Sequence, residues 1–265
     1  MFLSRAGREC FIIDPMTAPL KPLKWYRELA DKKARLSAGT FLVEGEKSIL
    51  QIQGNHPESI VEIISVGEPP PELRQFPARQ LSHSQFEYIS ATRTPQGLAA
   101  IVKIPENVYS AELPANPGDK ILLLEDIQDP GNAGTLIRTA AAFDFSGVIL
   151  SDKSADPFSP KVSQASAGAV MSLWTRVASQ YLDLVINLQE NGYRLIAAEL
   201  EGREIAEVLP QGKFILALGN EGAGLSEDLQ KIADYRVGIP MAREKAESLN
   251  VAVSGGILMY LSSRK

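Results

Sequence analysis

From Ile121 onward the sequence alternates short apolar runs with longer amphipathic stretches, and few folds tolerate that rhythm. Ile121 to Leu124 is a continuous apolar run, as expected of a strand covered on both faces. Further strand candidates follow at Gly147 to Leu150, Arg194 to Ala198, Phe214 to Leu218 and Arg236 to Ile239. Between and after them Ala133 to Phe143, Pro160 to Ala169, Tyr181 to Asn191, Ser226 to Ile232 and Ser248 to Ser262 read as helices. The alternation predicts an α/β architecture, a mostly parallel sheet with helices on both faces. Ligands of such sheets bind beyond the carboxyl ends of the strands, which directs attention to the loops after Leu124, Leu218 and Ile239.

Upstream lies a smaller α/β module. Leu23 to Leu36 reads as one helix, Thr40 to Val43 as a strand, Glu46 to Gln53 as a helix, Ile60 to Val66 as a strand, His83 to Ile89 as a helix and Leu98 to Val102 as a strand. Pro105, Pro114 and Pro117, in a stretch with little periodicity, mark a linker. The expected division is a flexible leader at 1–20, a first domain at 21–104, a linker at 105–119 and a second domain at 120–265.

No apolar run approaches the roughly 20 residues a membrane span needs, and Glu9 and Asp14 interrupt the start where a secretory signal needs an apolar core, so a cytoplasmic protein with no membrane partner is expected. A single cysteine, Cys10, rules out an internal disulfide, and with only His56 and His83 beside it no metal site is expected. The net charge of −5 counts mildly against a nucleic-acid partner. Its distribution counts the other way, because Lys21, Lys24, Arg27, Lys32, Lys33 and Arg35 face only Glu28 and Asp31 in that stretch, although a solvated helix face explains the run equally well.

The three loops carry the chemistry. The first reads Asp129-Pro130-Gly131-Asn132-Ala133-Gly134-Thr135-Leu136-Ile137-Arg138-Thr139-Ala140: Pro-Gly makes the turn, Asn132 is placed to cap the helix, and Arg138 is an oddity among apolar neighbours unless it faces solvent. The second, Leu218-Gly219-Asn220-Glu221-Gly222-Ala223-Gly224-Leu225-Ser226, has three glycines but neither the dinucleotide nor the phosphate-loop spacing, and Glu221 would repel a pyrophosphate while suiting a cationic or hydroxyl-bearing ligand. A plain tight turn is the other reading. The third runs Ile239-Pro240-Met241, then Ala242 to Glu247, then Ser248-Leu249-Asn250-Val251, with Ser248 in the position of a helix cap. Adjacent Gly255 and Gly256 inside the last helix cost about 1 kcal/mol each against alanine, which implies that another backbone packs closely there.

Together D-P-G-N-x-G-x-x-I-R-T-A, G-N-E-G-x-G-L and I-P-M followed by S-L-N-V resemble the three ordered motifs of SpoU/TrmH-type RNA 2′-O-ribose methyltransferases of the SPOUT superfamily. The resemblance covers the chain from about Ile121 to its end. More loosely, Phe41-Leu42-Val43-Glu44-Gly45 preceded by Lys32-Lys33-Ala34-Arg35 looks like the ribosomal-protein-like RNA-binding module of many members. One departure is the spacer Ala242 to Glu247, one residue longer than usual and without glycine, in which Arg243 and Lys245 could add RNA contacts.

The resemblance implies a carboxyl-terminal trefoil knot, an obligate homodimer through the knotted domain that the paired glycines would fit, S-adenosyl-L-methionine as cofactor, and RNA as substrate, ribosomal RNA in the first place with transfer RNA as the alternative. It makes Arg138 the residue nearest the chemistry, orienting phosphate or ribose and stabilising developing oxyanion charge, with Asn132, Glu221, Ser248 and Asn250 as the other polar positions of the site. The cofactor would lie against Leu218, Gly219, Asn220, Gly222, Ile239, Pro240, Met241, Ser248 and Leu249; RNA would meet Lys32, Lys33, Arg35 and Arg138. Two readings compete with an active enzyme of this kind. One is an RNA-binding assembly factor that keeps the fold without activity; the other is a nicotinamide-dependent oxidoreductase, for which the first loop lacks the glycine fingerprint.

Overall fold

The computed structural model describes residues 20–208 and 212–263, so the expected leader lies, but for Leu20, outside the described residues. Two sheets organise the rest. The first unit comprises α1 (Leu23–Glu28), α2 (Lys32–Ala38), β1 (Thr40–Glu44), α3 (Glu46–Asn55), β2 (Ile60–Ser65), β3 (Ala78–Gln80), α4 (His83–Ile89) and β4 (Leu98–Lys103). Its strands lie in the order β1-β4-β2-β3, with β4 antiparallel to both neighbours and β2 parallel to β3. The single helix expected over Leu23 to Leu36 is two, because the Asp31 carboxylate accepts hydrogen bonds from the amides of Lys33 and Ala34 and so starts a new helix there. β3 is an edge strand of three residues, too short to show a period.

The second unit carries β5 (Lys120–Leu124), α5 (Pro130–Ala142), β6 (Gly147–Ser151), α6 (Pro160–Ser166), β7 (Trp174–Ala178), α7 (Tyr181–Glu190), β8 (Arg194–Glu204), α8 (Ile205–Val208), β9 (Phe214–Leu218), α9 (Glu227–Ile232), β10 (Tyr235–Gly238) and α10 (Val251–Ser263). The six strands run β10-β8-β9-β5-β6-β7, every neighbouring pair parallel. Alternate residues of β5 serve opposite faces: Leu122 and Leu124 join the core that holds Leu136 and Ile137 of α5, Val162 of α6 and Leu258 of α10, whereas Ile121 and Leu123 join that of Leu184 and Leu188 of α7 and Leu229 of α9. Helices on both faces are the observed architecture.

Two elements of this sheet differ from expectation. β7 was not anticipated, because Arg176 interrupts its apolar run; the arginine is buried, with its guanidinium donating to the carbonyl oxygens of Thr175 and Glu112. β8 continues six residues beyond Ala198 through charged positions, and its pairing with β10 shifts register, from Arg236 opposite Ala197 to Val237 opposite Arg203. Gly202 sits in this irregularity, where a Cβ would lie 2.4 Å from the carbonyl carbon of Val237, so only glycine lets the two backbones meet.

Residues 104–119 form neither helix nor strand but are fastened to the larger sheet. Val177 donates its amide to the carbonyl of Val108, Trp174 Nε1 donates to the carbonyl of Pro117 at 2.9 Å, and the Tyr109 hydroxyl donates to Asp156 at 2.8 Å. The two units share one apolar core, in which Phe41 of β1 meets Phe158 edge-on at 4.9 Å. Among the described residues no helix is long and apolar enough to cross a membrane.

Candidate active site

The loops after β5, β9 and β10 converge at one end of the sheet. α5 begins at Pro130, whose missing amide suits a first helical position, and the cap is the preceding Asp129, which accepts from the amide of Asn132 at 2.8 Å. Asn132 is therefore not the cap, contrary to expectation, and its side chain is free to reach elsewhere. Its Nδ2 donates to Glu221 Oε1 at 2.8 Å, and its Oδ1 accepts from Asn250 Nδ2 at 3.0 Å. Asn250 Oδ1 in turn accepts from the amides of Ala252 and Val253, and so caps α10, the role expected of Ser248. The orientation of every amide in this chain is set by chemistry, since a carboxylate only accepts and a backbone amide only donates. One relay, Glu221–Asn132–Asn250, thus ties the three loops together.

The loop after β9 folds back on itself. Asn220 and Gly224 exchange backbone hydrogen bonds, and Asn220 Oδ1 accepts from the amides of Gly222 and Ala223. At Gly219 a Cβ would lie 2.3 Å from the carbonyl carbon of Gly224, which makes glycine obligatory at the fold-back. Beneath the loop opens a cavity of about 660 Å³. Of the positions expected to hold a cofactor, Leu218, Gly219, Asn220, Gly222, Ile239, Met241, Ser248 and Leu249 line it. Pro240 does not; it is exposed, whereas its neighbours Ile239 and Met241 are half-buried and line the cavity. The wall that sequence reasoning missed is the charged end of β8, Ala198 to Glu201, together with Ser254 and Leu258 of α10.

Four glutamates line this cavity, Glu199, Glu201, Glu221 and Glu247, and no lysine, arginine or histidine among the described residues does; Glu199 pairs with Arg236 at 3.6 Å and Glu201 with Arg243, which leaves Glu221 and Glu247 as the carboxylates without a cationic partner there. Such a lining repels phosphates and accommodates a cation, which fits a sulfonium cofactor that carries no phosphate. The glycine-free spacer closes against the same wall: Arg243 pairs with Glu201 at 3.0 Å and donates to the carbonyl of Leu200. Arg243 is thus committed within the chain rather than free for RNA, whereas Lys245 is exposed.

The basic residues separate in the same way. Arg138 is exposed on α5, lies outside the cavity lining, and its side chain makes no hydrogen bond or ion pair among the described residues. Lys33 is exposed as well. Arg35, expected to meet RNA, is instead only 2% exposed: its guanidinium donates to the carbonyls of Leu29 and Ala30 and pairs with Asp156 at 3.1 Å. Lys32 joins the same acid at 3.7 Å and lies over the Tyr109 ring. These two hold the smaller unit to the larger. Gly255 is likewise occupied within the chain, since its Cβ would lie 2.4 Å from Leu136 and 2.6 Å from Leu218; at Gly256 nothing comes nearer than 3.9 Å.

Comparison with known proteins agrees with this geometry. Residues 119–260 match the SpoU rRNA Methylase family, and residues 21–100 match the MRM3-like substrate binding domain. The chain is 33% identical over 250 residues to the 23S rRNA (guanosine(2553)-2′-O)-methyltransferase RlmP of Bacillus subtilis, an alignment covering 92% of this chain and 96% of that protein. Among solved structures, a putative RNA methyltransferase of the TrmH family from Porphyromonas gingivalis superimposes with a TM-score of 0.78 at 32% identity, over 92% of this chain and 98% of the other. The SpoU methyltransferase AviRb from Streptomyces viridochromogenes, in complex with AdoMet, gives a TM-score of 0.78 at 26% identity, over 91% and 96%. With its three motif loops joined by one relay around a cation-tolerant cavity, the chain belongs to the SpoU rRNA methylase family.

Proposed function

We propose that the protein is an RNA 2′-O-ribose methyltransferase that takes its methyl group from S-adenosyl-L-methionine and acts on structured RNA, ribosomal RNA in the first instance. The observation that carries this is the cavity walled by the second and third motif loops, lined among the described residues by four glutamates, two of them paired with arginines, and by no basic residue, and bordered at Glu221 by the relay to Asn132 and Asn250. RlmP's name as a 23S rRNA methyltransferase and the AdoMet bound to AviRb support the substrate and the cofactor.

Bound there, S-adenosyl-L-methionine supplies an activated methyl carbon on a sulfonium for in-line transfer to an oxygen. The protein's task is to hold the cofactor and a weakly acidic hydroxyl in line. Leu218, Gly219, Ile239 and Leu249, with Asn220, Gly222, Met241 and Ser248 beside them, line the cavity and would hold the cofactor there. Asn132 and Asn250 hold Glu221 in one orientation, leaving its Oε2 to accept from a ribose hydroxyl. Arg138 keeps its donors for a phosphate or for charge developing on the attacking oxygen; a guanidinium with a pKa above about 12 does not serve as the base.

The wider assembly follows the same reading. Residues 21–104 form an RNA-binding domain that meets substrate through Lys33, residues 105–119 link it, and residues 120–265 form the catalytic domain of a cytoplasmic protein. A trefoil knot in the carboxyl-terminal domain is what the likeness to SpoU methylases implies. A homodimer is supported by α10, which carries apolar residues all round and leaves Val253 and Tyr260 half exposed.

The test is mass-spectrometric mapping of 2′-O-methylated nucleotides in total RNA from cells with and without the protein, with rescue by Arg138→Ala. Loss of one ribosomal RNA site that the variant fails to restore is expected. A lost transfer RNA site would move the substrate, and an unchanged map would replace the enzyme with an inactive RNA-binding assembly factor.

A further inference from the structure

The Gly219–Ser226 loop is a thin partition. Asn220, Ala223, Gly224 and Leu225 line the 660 Å³ cavity and also a second cavity of about 570 Å³, so the loop has open space on two sides where packing would otherwise fix it. Its position depends on the hydrogen bond that Glu221 accepts from Asn132 at its crown and on what grips its ends. Both ends are gripped by one dipeptide, Glu125-Asp126, which follows β5. At the entry, the Glu125 amide donates to the carbonyl of Leu218 at 2.9 Å and Asn220 Nδ2 donates to the carbonyl of Asp126 at 2.9 Å. At the exit, the Glu125 carboxylate accepts from the Ser226 amide at 2.7 Å and from the Ser226 hydroxyl at 2.6 Å. The Tyr181 hydroxyl of α7 donates to the same carboxylate.

The grip is itself anchored. Asp126 has a left-handed backbone, φ +55°, held by Ser151 of β6, which accepts from its amide at 2.8 Å and donates to its carboxylate at 2.7 Å. Glu125 is 3% exposed and pairs with no lysine or arginine among the described residues. Three donors stand in for water around it, and a buried carboxylate in that state costs free energy unless all of them stay in place. Burial and the adjoining carboxylate push the Tyr181 hydroxyl above the ordinary phenol range, so it remains a donor at any physiological pH.

We infer that Glu125 is a positioning residue for the cofactor: its carboxylate sets the height of the Gly219–Ser226 loop over the larger cavity and thereby the affinity for S-adenosyl-L-methionine, without touching it. The inference rests on that cavity being the cofactor site. A helix-capping role confined to α9 would affect stability alone; a positioning role changes affinity in protein that is fully folded.

The experiment measures the Kd of S-adenosyl-L-methionine by calorimetry, alongside thermal unfolding, for Glu125→Gln, Ser226→Ala, Ser82→Ala and Leu249→Arg. Glu125→Gln turns an acceptor into a donor facing another donor, and should weaken binding about tenfold, the scale of one hydrogen bond to a charged group. Ser226→Ala keeps the backbone contact and should weaken it less. Ser82→Ala removes the capping box of α4 in the other unit, so it lowers the melting temperature with Kd unchanged. Leu249→Arg puts a cation into the cavity and should abolish binding. If Leu249→Arg abolishes binding while Glu125→Gln and Ser226→Ala stay within twofold of the parent, the positioning role is refuted. If Leu249→Arg binds normally, the cavity assignment fails and takes the inference with it.

Discussion

Replacing Asn132 by aspartate tests the relay without assuming any activity. Asn132 Nδ2 lies 2.8 Å from Glu221 Oε1, so Asn132→Asp sets two carboxylates at that separation. Two like charges there repel by about 1.5 kcal/mol in water and about 6 kcal/mol at an effective dielectric of 20. Glu221 is exposed and Asn132 half-buried, which puts the cost near the lower figure. For a chain of this size about 1.5 kcal/mol corresponds to a fall of about 3–6 °C in melting temperature. The penalty has a definite pH dependence. Repulsion raises the pH at which one of the pair takes up a proton in the folded state, so the variant's deficit is full above that pH and vanishes once the pair shares a proton. Asn132→Ala, which brings no second charge, loses the two hydrogen bonds at every pH. Thermal unfolding of both variants between pH 8 and pH 4.5 should therefore show a gap to the parent that closes for aspartate and stays constant for alanine. An aspartate variant as stable as the parent at pH 8, or one whose deficit ignores pH, would refute the contact.

Other expectations follow from burial and charge. Gly202→Ala forces a Cβ to 2.4 Å from backbone of β10, and should cost about 3 kcal/mol in chemical denaturation; a neutral result would mean the two backbones do not meet. Asp156→Ala leaves Arg35 buried with its guanidinium bonded only to Leu29 and Ala30, a loss of about 3–5 kcal/mol that Asp156→Asn should partly recover; a loss under about 1 kcal/mol would show the two units are held by apolar contact alone. At Asp234 burial works upward on the carboxyl, but bonds from the Leu195 amide, Gln189 and Arg194 outweigh it and hold it below the usual carboxylate range. A depressed folded-state value contributes stability above the unfolded value of about 4 and loses it as pH falls through the lower folded one. Asp234→Asn should accordingly be less stable than the parent at pH 7 and approach it in acid, and equal deficits at pH 7 and pH 3 would contradict this.

The strands that build the site were legible because they are buried on both faces and read as apolar runs; the strand that floors it was not. Glu199, Glu201, Arg203 and Glu204 continue β8 with charges, so no period marks them, and they enter a strand only because β10 resumes pairing with them in a second register. β7 was hidden by Arg176, whose buried guanidinium is satisfied by carbonyls that the sequence does not reveal. The two misplaced caps had local signals. Asp129 precedes a proline suited to a first helical position, and Asn250 stands just before the apolar run of α10. What no local signal could give is that Glu221, Asn132 and Asn250, 89 and 118 residues apart along the chain, share two hydrogen bonds.

The paired glycines of α10 divide in a way that puts the proposed homodimer to a test. Gly255 is required within the chain, because Leu136 and Leu218 occupy the space of its Cβ. Gly256 is not: the nearest atom to its Cβ is Thr139 Cγ2 at 3.9 Å, ordinary contact. An isolated chain would gain from Gly256→Ala, by up to about 1 kcal/mol of helix propensity. Yet Gly256 lies three residues after Val253 and four before Tyr260, on the helix face whose apolar side chains stay half exposed. If a second copy packs its backbone on that face, the added methyl group overfills the contact and costs about 1–3 kcal/mol per site. The expected result is a weaker dimer in analytical ultracentrifugation and a lower melting temperature for Gly256→Ala. A variant that melts higher than the parent, with its association unchanged, would place the interface on another surface.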